Sequence, residues 1–312
     1  MPSTIEEKLK KIPIINILVE LCQKVKLPGF EGLSLYHLLE LYGLGIVKGT
    51  LTTRASAIAF SFFTAIFPFL LFIIILIPSI PIEGFQTEFL DFLESFLPPQ
   101  TSDFFESNIF ENLEGNKQAG LLSSVFLLSM FLMANGVNAV FSGFENSYHE
   151  QLTRNVFQQY LYALGIALIL VFLVLLTVAV FGYTEIYVIT PLNEALEAGE
   201  ATNKQWISIV KYLFFIIMVY ISTATLYYFG TKEGRHTRFF SIGALLTTLL
   251  IILTSYLFGI YINNFSKYNE LYGSIGALLI LLLYLWLNSN ILLLGYELNA
   301  TLRGLHKLNQ KT

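Results

Sequence analysis

Long apolar stretches separated by short polar segments dominate the pattern of this chain. Six of them reach the length of about 20 residues that a helix needs to cross a bilayer core. They do not alternate apolar with polar residues, as the strands of a membrane barrel would. The predicted spans are residues 55–80, 119–141, 160–183, 206–230, 239–262 and 275–300. The pattern therefore predicts an all-α, polytopic membrane protein with six transmembrane helices.

The segments outside these spans predict a simple domain organisation. We expect residues 1–50 to form cytoplasmic or interfacial helices, a small collar before the transmembrane domain of residues 51–302. Residues 303–312 would form a cytoplasmic tail. In the first outer loop, apolar residues recur at helical spacing from Phe85 to Leu97, with acidic residues between them, and two prolines follow. This spacing predicts a short amphipathic helix.

Basic residues are distributed unevenly between the loops. Most of the 18 Lys and Arg residues lie in the N-terminal segment, in the second and fourth loops and in the C-terminal tail, all on one side of the predicted bundle. Because basic residues concentrate on the cytoplasmic side of membrane proteins, this distribution predicts cytoplasmic N- and C-termini. We expect a multi-pass protein of the bacterial inner membrane.

The composition agrees with that interpretation. The chain of 312 residues is 55% hydrophobic and 13% charged, with a mean hydropathy of +0.65. Soluble domains carry about 25% charged residues, so this chain could not cover a globule of its size with a normal charged surface. No basic stripe suggests nucleic acid as a partner. Membrane lipids are the expected partners, a homo-oligomer is left open, and no nucleic acid is expected.

Polar side chains inside the spans carry the functional hypotheses, because at membrane depth they usually face a bundle interior or a wet cavity. In the first and second spans they form stripes along one helix face. The stripes are Arg54, Ser61, Thr64 and Pro68 in the first span, and Asn135, Asn138 and Glu145 in the second span and its extension. The sixth span is polar on two edges, with Asn288 and Asn299 on one and Asn290 and Glu297 on the other. A helix of that kind is expected at the centre of the bundle.

Two interpretations of these stripes stay open. Small residues and hydrogen bonds between helices hold many membrane bundles together without transporting anything. For Glu145 and Glu297 we favour a function or a specific ion pair, since an unpaired carboxylate there would be costly. Arg54 lies at the same level and could pair with either.

Signals for catalysis are missing from the sequence. The four histidines do not pair with Cys, Asp or His at metal-ligand spacing, and H-E-x-x-H, C-x-x-C, P-loop and G-x-S-x-G motifs do not occur. We therefore predict no catalytic residues, no metal site and no cofactor.

Four segments form recognisable motifs: R-A-S-A-I-A-F-S-F-F-T-A-I-F-P from Arg54, N-G-V-N-A-V-F from Asn135, Y-N-E-L-Y-G-S-I-G-A-L from Tyr268 and L-L-L-G-Y-E-L-N-A from Leu292. With these motifs the chain resembles the YihY/BrkB family of bacterial inner-membrane proteins. The family more usually has G-A-E-L-N-A in the last segment, so Tyr296 is a small departure. The resemblance implies six transmembrane helices, and its motifs single out Arg54, Asn138, Tyr272, Gly273, Glu297 and Asn299.

Members of that family have carried a ribonuclease label and a virulence label, and transport is suspected for them. With neither a metal cluster nor a basic surface in this sequence, we do not expect a ribonuclease or another enzyme. The first hypothesis is a permease or exporter of an ion, lipid or amphiphile, with its pathway along the polar faces of the first, second and sixth spans. Arg54 and a glutamate would form its gate, and Tyr272-Gly273 would let the backbone bend. The alternative is a non-transporting envelope scaffold.

Overall fold

The fold is known from a computed structural model, which describes residues 36, 50–76, 118–145, 155–184, 187, 201–231, 238–265 and 274–309. These residues form long α-helices, and none of them lies in a strand. The helices are α1 (Thr50–Leu76), α2 (Gln118–Glu145), α3 (Val156–Thr184), α4 (Ala201–Gly230), α5 (Ile242–Phe265) and α6 (Ser274–Asn309). The all-α architecture predicted from the sequence is confirmed.

Each helix corresponds to one predicted span. Within the described residues, segments of five helices, α2 to α6, are long and apolar enough to cross a membrane. Helix α1 contains 27 residues, which at 1.5 Å per residue give a length of about 40 Å, more than the roughly 30 Å of a bilayer core. The predicted collar lies outside the described residues except for Tyr36 and Thr50, and so does the amphipathic helix of the first outer loop.

Two helix boundaries differ from the predicted ones for local reasons. Helix α5 begins at Ile242 rather than at residue 239, because Ser241 acts as its N-cap and accepts a hydrogen bond from the amide of Ala244 at 3.2 Å. Helix α6 continues to Asn309, beyond the predicted end at residue 300, so part of the expected tail is helical.

Neighbouring helices pack in chain order and close on themselves. Helix α1 packs on α2, α2 on α3, α3 on α4, α4 on α5 and α5 on α6, while α6 returns to α1. Helix α2 also contacts α4 and α6, which places it on the inside. We call the end where α1, α3 and α5 begin and α2, α4 and α6 end the basal end, and the opposite half the distal half.

The apolar core lies mainly toward the basal end. It contains Ala55 and Ile58 of α1, Phe144 of α2, Tyr227 of α4 and Tyr296 of α6, each at most 2% exposed. Every residue of α6 from position 289 to 296 is buried, so neighbours surround this helix on all sides. The sixth span therefore lies centrally, as its two polar edges predicted.

The outer surface is apolar, as a lipid-facing surface should be. Large apolar side chains stay exposed along α5 at Leu245, Leu249, Leu253 and Leu257, and along α3 at residues such as Phe172. In a water-soluble protein such continuous exposure would mark an aggregation-prone patch. In a membrane, lipid tails cover these side chains.

Candidate functional site

An ion pair joins three helices at the basal end. Arg54, in the second turn of α1, donates from Nη2 to Oε1 of Glu297 in α6 at 2.7 Å. Its Nη1 donates to the backbone oxygen of Gly143 in α2 at 2.8 Å. The two charged side chains are 13% and 18% exposed, so water has only limited access to them. Of the two acidic partners considered for Arg54, Glu297 forms this pair, and we call these three residues the Arg54 lock.

The local sequence explains why the lock forms at this point. Helix α2 ends at Glu145, so the carbonyl of Gly143 is among the last four, which have no partner within the helix. A guanidinium there satisfies that oxygen and complements the negative end of the helix dipole. A Cβ on Gly143 would lie 3.0 Å from side-chain carbons of Ile58 and Leu293, so glycine also lets α1 and α6 come close. Glu145 is the last residue of α2 and is half-buried.

The opposite polar edge of α6 faces α5. Oδ1 of Asn299 accepts a hydrogen bond from the amide of Gly243 at 2.8 Å, and its Nδ2 donates to Oγ of Ser241 at 2.8 Å. Asn299 thus supplies a second cap to the start of α5, in addition to Ser241 itself. The two polar edges of α6 therefore have different partners, with Glu297 on α1 and Asn299 on α5.

Glycines bring α5 and α6 into backbone contact beside this cap. A Cβ on Gly295 would overlap Oγ1 of Thr247, and would lie 2.6 Å from the Tyr227 hydroxyl and 2.8 Å from the Gly243 oxygen. A Cβ on Gly243 would overlap the Gly295 carbonyl. No side chain fits between the helices, which fixes where they cross.

Two buried tyrosines connect α4 to this crossing. The hydroxyl of Tyr227 donates to the Leu292 carbonyl at 2.6 Å and shares a hydrogen bond of 2.6 Å with Thr247. The hydroxyl of Tyr296 shares one of 2.5 Å with Thr231. The ring of Phe144 stacks on Tyr296, with a centroid distance of 4.1 Å and planes 12° apart. These contacts link α2, α4, α5 and α6.

No sequence pattern marks Tyr227, Thr247 or Gly243 as functional. Each is an ordinary residue for a membrane helix, and each matters because of what another helix places against it. The available signal was chemical: a tyrosine or threonine in an apolar span needs a hydrogen-bond partner.

Apart from Arg54, the polar residues described for α1 and α6 bond within their own helix or to one neighbouring helix. Thr64 donates to the Ser61 oxygen at 3.0 Å within its own helix. Helix α1 continues through Pro68, and the Pro68 carbonyl accepts a hydrogen bond from Ser129 of α2 at 2.5 Å. In α6, the amide nitrogens of Asn288 and Asn290 donate to the oxygens four residues earlier, at 2.9 and 2.7 Å.

The polar stripe of α2 lies on a different face of that helix from the face that contacts α1 in the Arg54 lock. Gly136 and Gly143 face α1, and at 100° per residue Asn138 points roughly 160° away from Gly136. Asn135 and Asn138 are half-buried, and Oδ1 of Asn138 is buried without a hydrogen-bond partner. The structure thus does not place these amides with Arg54 and Glu297. Tyr272 and Gly273 lie outside the described residues.

Within the part of the chain that the structure describes, no group of three His, Cys, Asp or Glu side chains could hold a metal ion. The site is an ion pair surrounded by hydrogen-bonded hydroxyls and amides.

Sequence comparisons relate the chain to known membrane proteins. It is 28% identical over 258 residues to the putative ribonuclease-like protein YfkH of Bacillus subtilis, covering 82% of this chain and 91% of that protein. It is 25% identical over 258 residues to a UPF0761 membrane protein of Aggregatibacter aphrophilus, covering 82% and 88%. No solved structure matches the chain.

The family model named virulence factor BrkB matches residues 45–311, a range that contains all six described helices. That range includes Arg54, Gly143, Glu297 and Asn299, the residues that tie α1, α2, α5 and α6 together. With most of the chain matched, this integral membrane protein belongs to the virulence factor BrkB family.

Proposed function

We propose that the protein is a permease or exporter of an ion, lipid or amphiphile in the bacterial inner membrane. The observation that carries the proposal is the Arg54 lock, a poorly hydrated ion pair that joins α1, α2 and α6 at one end of the bundle. On this proposal the lock and the core beside it would close the basal end.

A purely structural role explains such a pair less well. Apolar residues of similar volume often hold a buried contact as firmly as an ion pair, or more firmly, because the ions lose hydration. An ion pair has a different advantage, since each partner can regain water when the pair opens. Arg54 and Glu297, at 13% and 18% exposed, are close enough to the surface for that exchange. The lock therefore suits a gate.

We assign the basal end to the cytoplasm, because most basic residues lie in the segments at that end. A fluorescent protein fused after Thr312 should be bright, since it folds well in the cytoplasm, and alkaline phosphatase at the same position should be inactive. The opposite pair of results would reverse the orientation.

Flux measurements test the transport proposal. Purified protein in liposomes should release potassium, release chloride or move a fluorescent phospholipid between leaflets faster than protein-free liposomes. Arg54→Ala and Glu297→Ala should each raise the passive rate by about tenfold, because the closed state loses about 1.4 kcal/mol or more relative to an open one. Arg238→Ala is the matched control, since Arg238 is an exposed arginine at the same end of the bundle.

Equal rates for wild-type and protein-free liposomes with all three probes would overturn the transport proposal. The scaffold alternative would then be supported if crosslinking in cells captured a defined envelope protein on the distal side. The ribonuclease name of the Bacillus subtilis relative describes that protein, and no described residue cluster here supports the activity.

A further inference from the structure

Three polar atoms between α2 and α3 are buried without hydrogen-bond partners. They are Oδ1 of Asn138 in α2 and both Oε1 and Nε2 of Gln159 in α3. Gln159 is only 4% exposed. Each such atom costs about 1–3 kcal/mol. We call the contact between α2 and α3 around Asn138 and Gln159 the α2–α3 seam, and it lacks these hydrogen bonds in the present arrangement.

Neighbouring contacts place both amides at the seam. Gln159 shares a helix face with Ala163, Ile166 and Ala167, the buried face of α3. Two tyrosines that follow Gln159 contact α2: the hydroxyl of Tyr160 donates to the Phe131 oxygen at 2.5 Å, and the ring of Tyr162 contacts Phe141 at a centroid distance of 6.1 Å. Asn138 lies between those two residues of α2.

The three atoms are buried and have no hydrogen-bond partner in the present packing. Satisfying them requires a rearrangement of the side chains or of the helices around them. The three atoms include two acceptors and one NH₂ donor group, which together suit water or an uncharged hydroxyl or amide group.

The Arg54 lock is connected to this seam through α2. Arg54 holds the carbonyl of Gly143, which lies five residues after Asn138 on the same helix. Release of the lock would remove the charged contact that ties the end of α2 to α1 and α6, and would leave apolar packing there, such as that of Phe144 on Tyr296. The same end of α2 forms one wall of the seam, so its displacement changes the packing around Asn138 and Gln159.

We propose that release of the Arg54 lock opens the α2–α3 seam, and that Asn138 and Gln159 then face a water-containing space. The inference rests on the proposed function, because it gives the gate a place along the pathway. It places part of that pathway at the α2–α3 seam, whereas the pathway predicted from the sequence followed the first, second and sixth spans.

Thiol accessibility tests the opening without a flux measurement. Cys22 is the one cysteine of the chain, so a Cys22→Ser background gives single-cysteine variants. Gln159→Cys is compared with Ser289→Cys in α6, because both residues are 4% exposed and Ser289 bonds within its own helix, to the Leu285 oxygen. The probe is a charged, water-soluble methanethiosulfonate reagent added to protein in lipid nanodiscs, and it reacts with thiolates that water reaches.

Gln159→Cys should react at least about tenfold faster than Ser289→Cys, and adding Glu297→Ala should raise its rate further. Equal rates for the two cysteines, or a Gln159→Cys rate that Glu297→Ala does not raise, would overturn the proposal. Fast reaction in a protein that moves no probe in liposomes would leave the seam opening intact and remove the transport function.

A second measurement tests the proposal without the cysteine variants, in case one of them does not fold. Gln159→Leu removes the unpaired amide and keeps an apolar side chain of similar size, so its thermal midpoint should equal or exceed that of the wild type. A clear fall in the midpoint would show that the amide has a stabilising partner, which contradicts the proposal. Asn138→Leu provides the same comparison from the other wall of the seam.

Discussion

The basal end and the distal half of the bundle are held together in different ways. At the basal end, the Arg54 lock, the Asn299 cap and the hydroxyl of Tyr227 each connect different helices. In the distal half, Thr177 and Thr184 of α3 bond to carbonyls of their own helix. The described contacts there include few bonds between helices, such as Ser255 with Tyr284 and Ser129 with Pro68.

This difference suggests which parts move as a unit. A hydrogen bond within one helix does not resist the displacement of that helix against its neighbour. Contacts between helices do resist it, and a glycine crossing without side chains allows little sliding. Helices α5 and α6 are therefore expected to stay together, while the lock is the charged contact that helps to hold the end of α2 against α1 and α6.

The largest expected effect is at the glycine crossing. Gly295→Ala would drive a methyl group into Thr247 and the Gly243 backbone, so we expect a loss of about 3 kcal/mol or more, or no folded protein. The measurement is the apparent melting temperature in detergent. Gly259→Ala in the distal half is the control, because nothing lies within 4 Å of a Cβ there, and it should leave stability unchanged or raise it by up to about 1 kcal/mol. Equal losses at the two glycines would contradict the crossing.

Breaking the Arg54 lock should have the next largest effect. Arg54→Ala leaves Glu297 and the Gly143 carbonyl without this donor, and we expect a loss of about 2–3 kcal/mol, less than for a fully buried pair. Glu297→Ala should cost a similar amount, and the double variant should cost less than the sum of the two. Strict additivity in this double-mutant cycle would show that the two residues do not interact.

One tyrosine from each region compares them directly. Tyr227→Phe removes the bonds to Thr247 and the Leu292 carbonyl in the buried core, with an expected loss of about 1–2 kcal/mol. Tyr284→Phe removes one bond to Ser255, which also bonds to its own Ile251 carbonyl, and should cost about 0.5 kcal/mol. Thermal unfolding of both variants in the same detergent checks the order, and a larger loss at Tyr284 would reverse it.

The smallest expected effect is in the distal contact between α1 and α2. Ser129→Ala removes the hydroxyl that donates to the Pro68 carbonyl, and should cost no more than about 1 kcal/mol. Thr177→Val is the comparison, because its hydroxyl bonds within α3 and its loss should change the melting temperature even less. A loss at Ser129 as large as that at Arg54 would remove the difference between the two regions.

Much of the fold followed from the sequence because the membrane restricts the choices. Long apolar stretches predicted six helices, and polar residues on two edges predicted a central α6. The partner of Arg54 could not be chosen, because helical spacing gives the level of a residue and the face it occupies but does not identify the helix packed against that face. Glu145 and Glu297 were equivalent until α6 was placed beside α1.

The same limit applies to the polar stripe of α2. Spacing correctly places Asn135 and Asn138 on one face, yet the contacts of Gly136 and Gly143 are needed to learn that α1 lies on another side. The start of α5 was within reach of the sequence, since Ser241 is a standard N-cap residue. The second cap from Asn299 was not, because those two residues are 58 positions apart.

One partner of Arg54 is a main-chain oxygen, and this has a consequence for genetics. Every amino acid at position 143 would still present a carbonyl, so an alanine scan along α2 would report crowding there and never the loss of that acceptor. The bond could be removed only from the arginine, or by an ester in place of the following amide, which weakens the carbonyl as an acceptor. Mutational maps of this protein would therefore show a sensitive α1 position without a matching chemical requirement on α2.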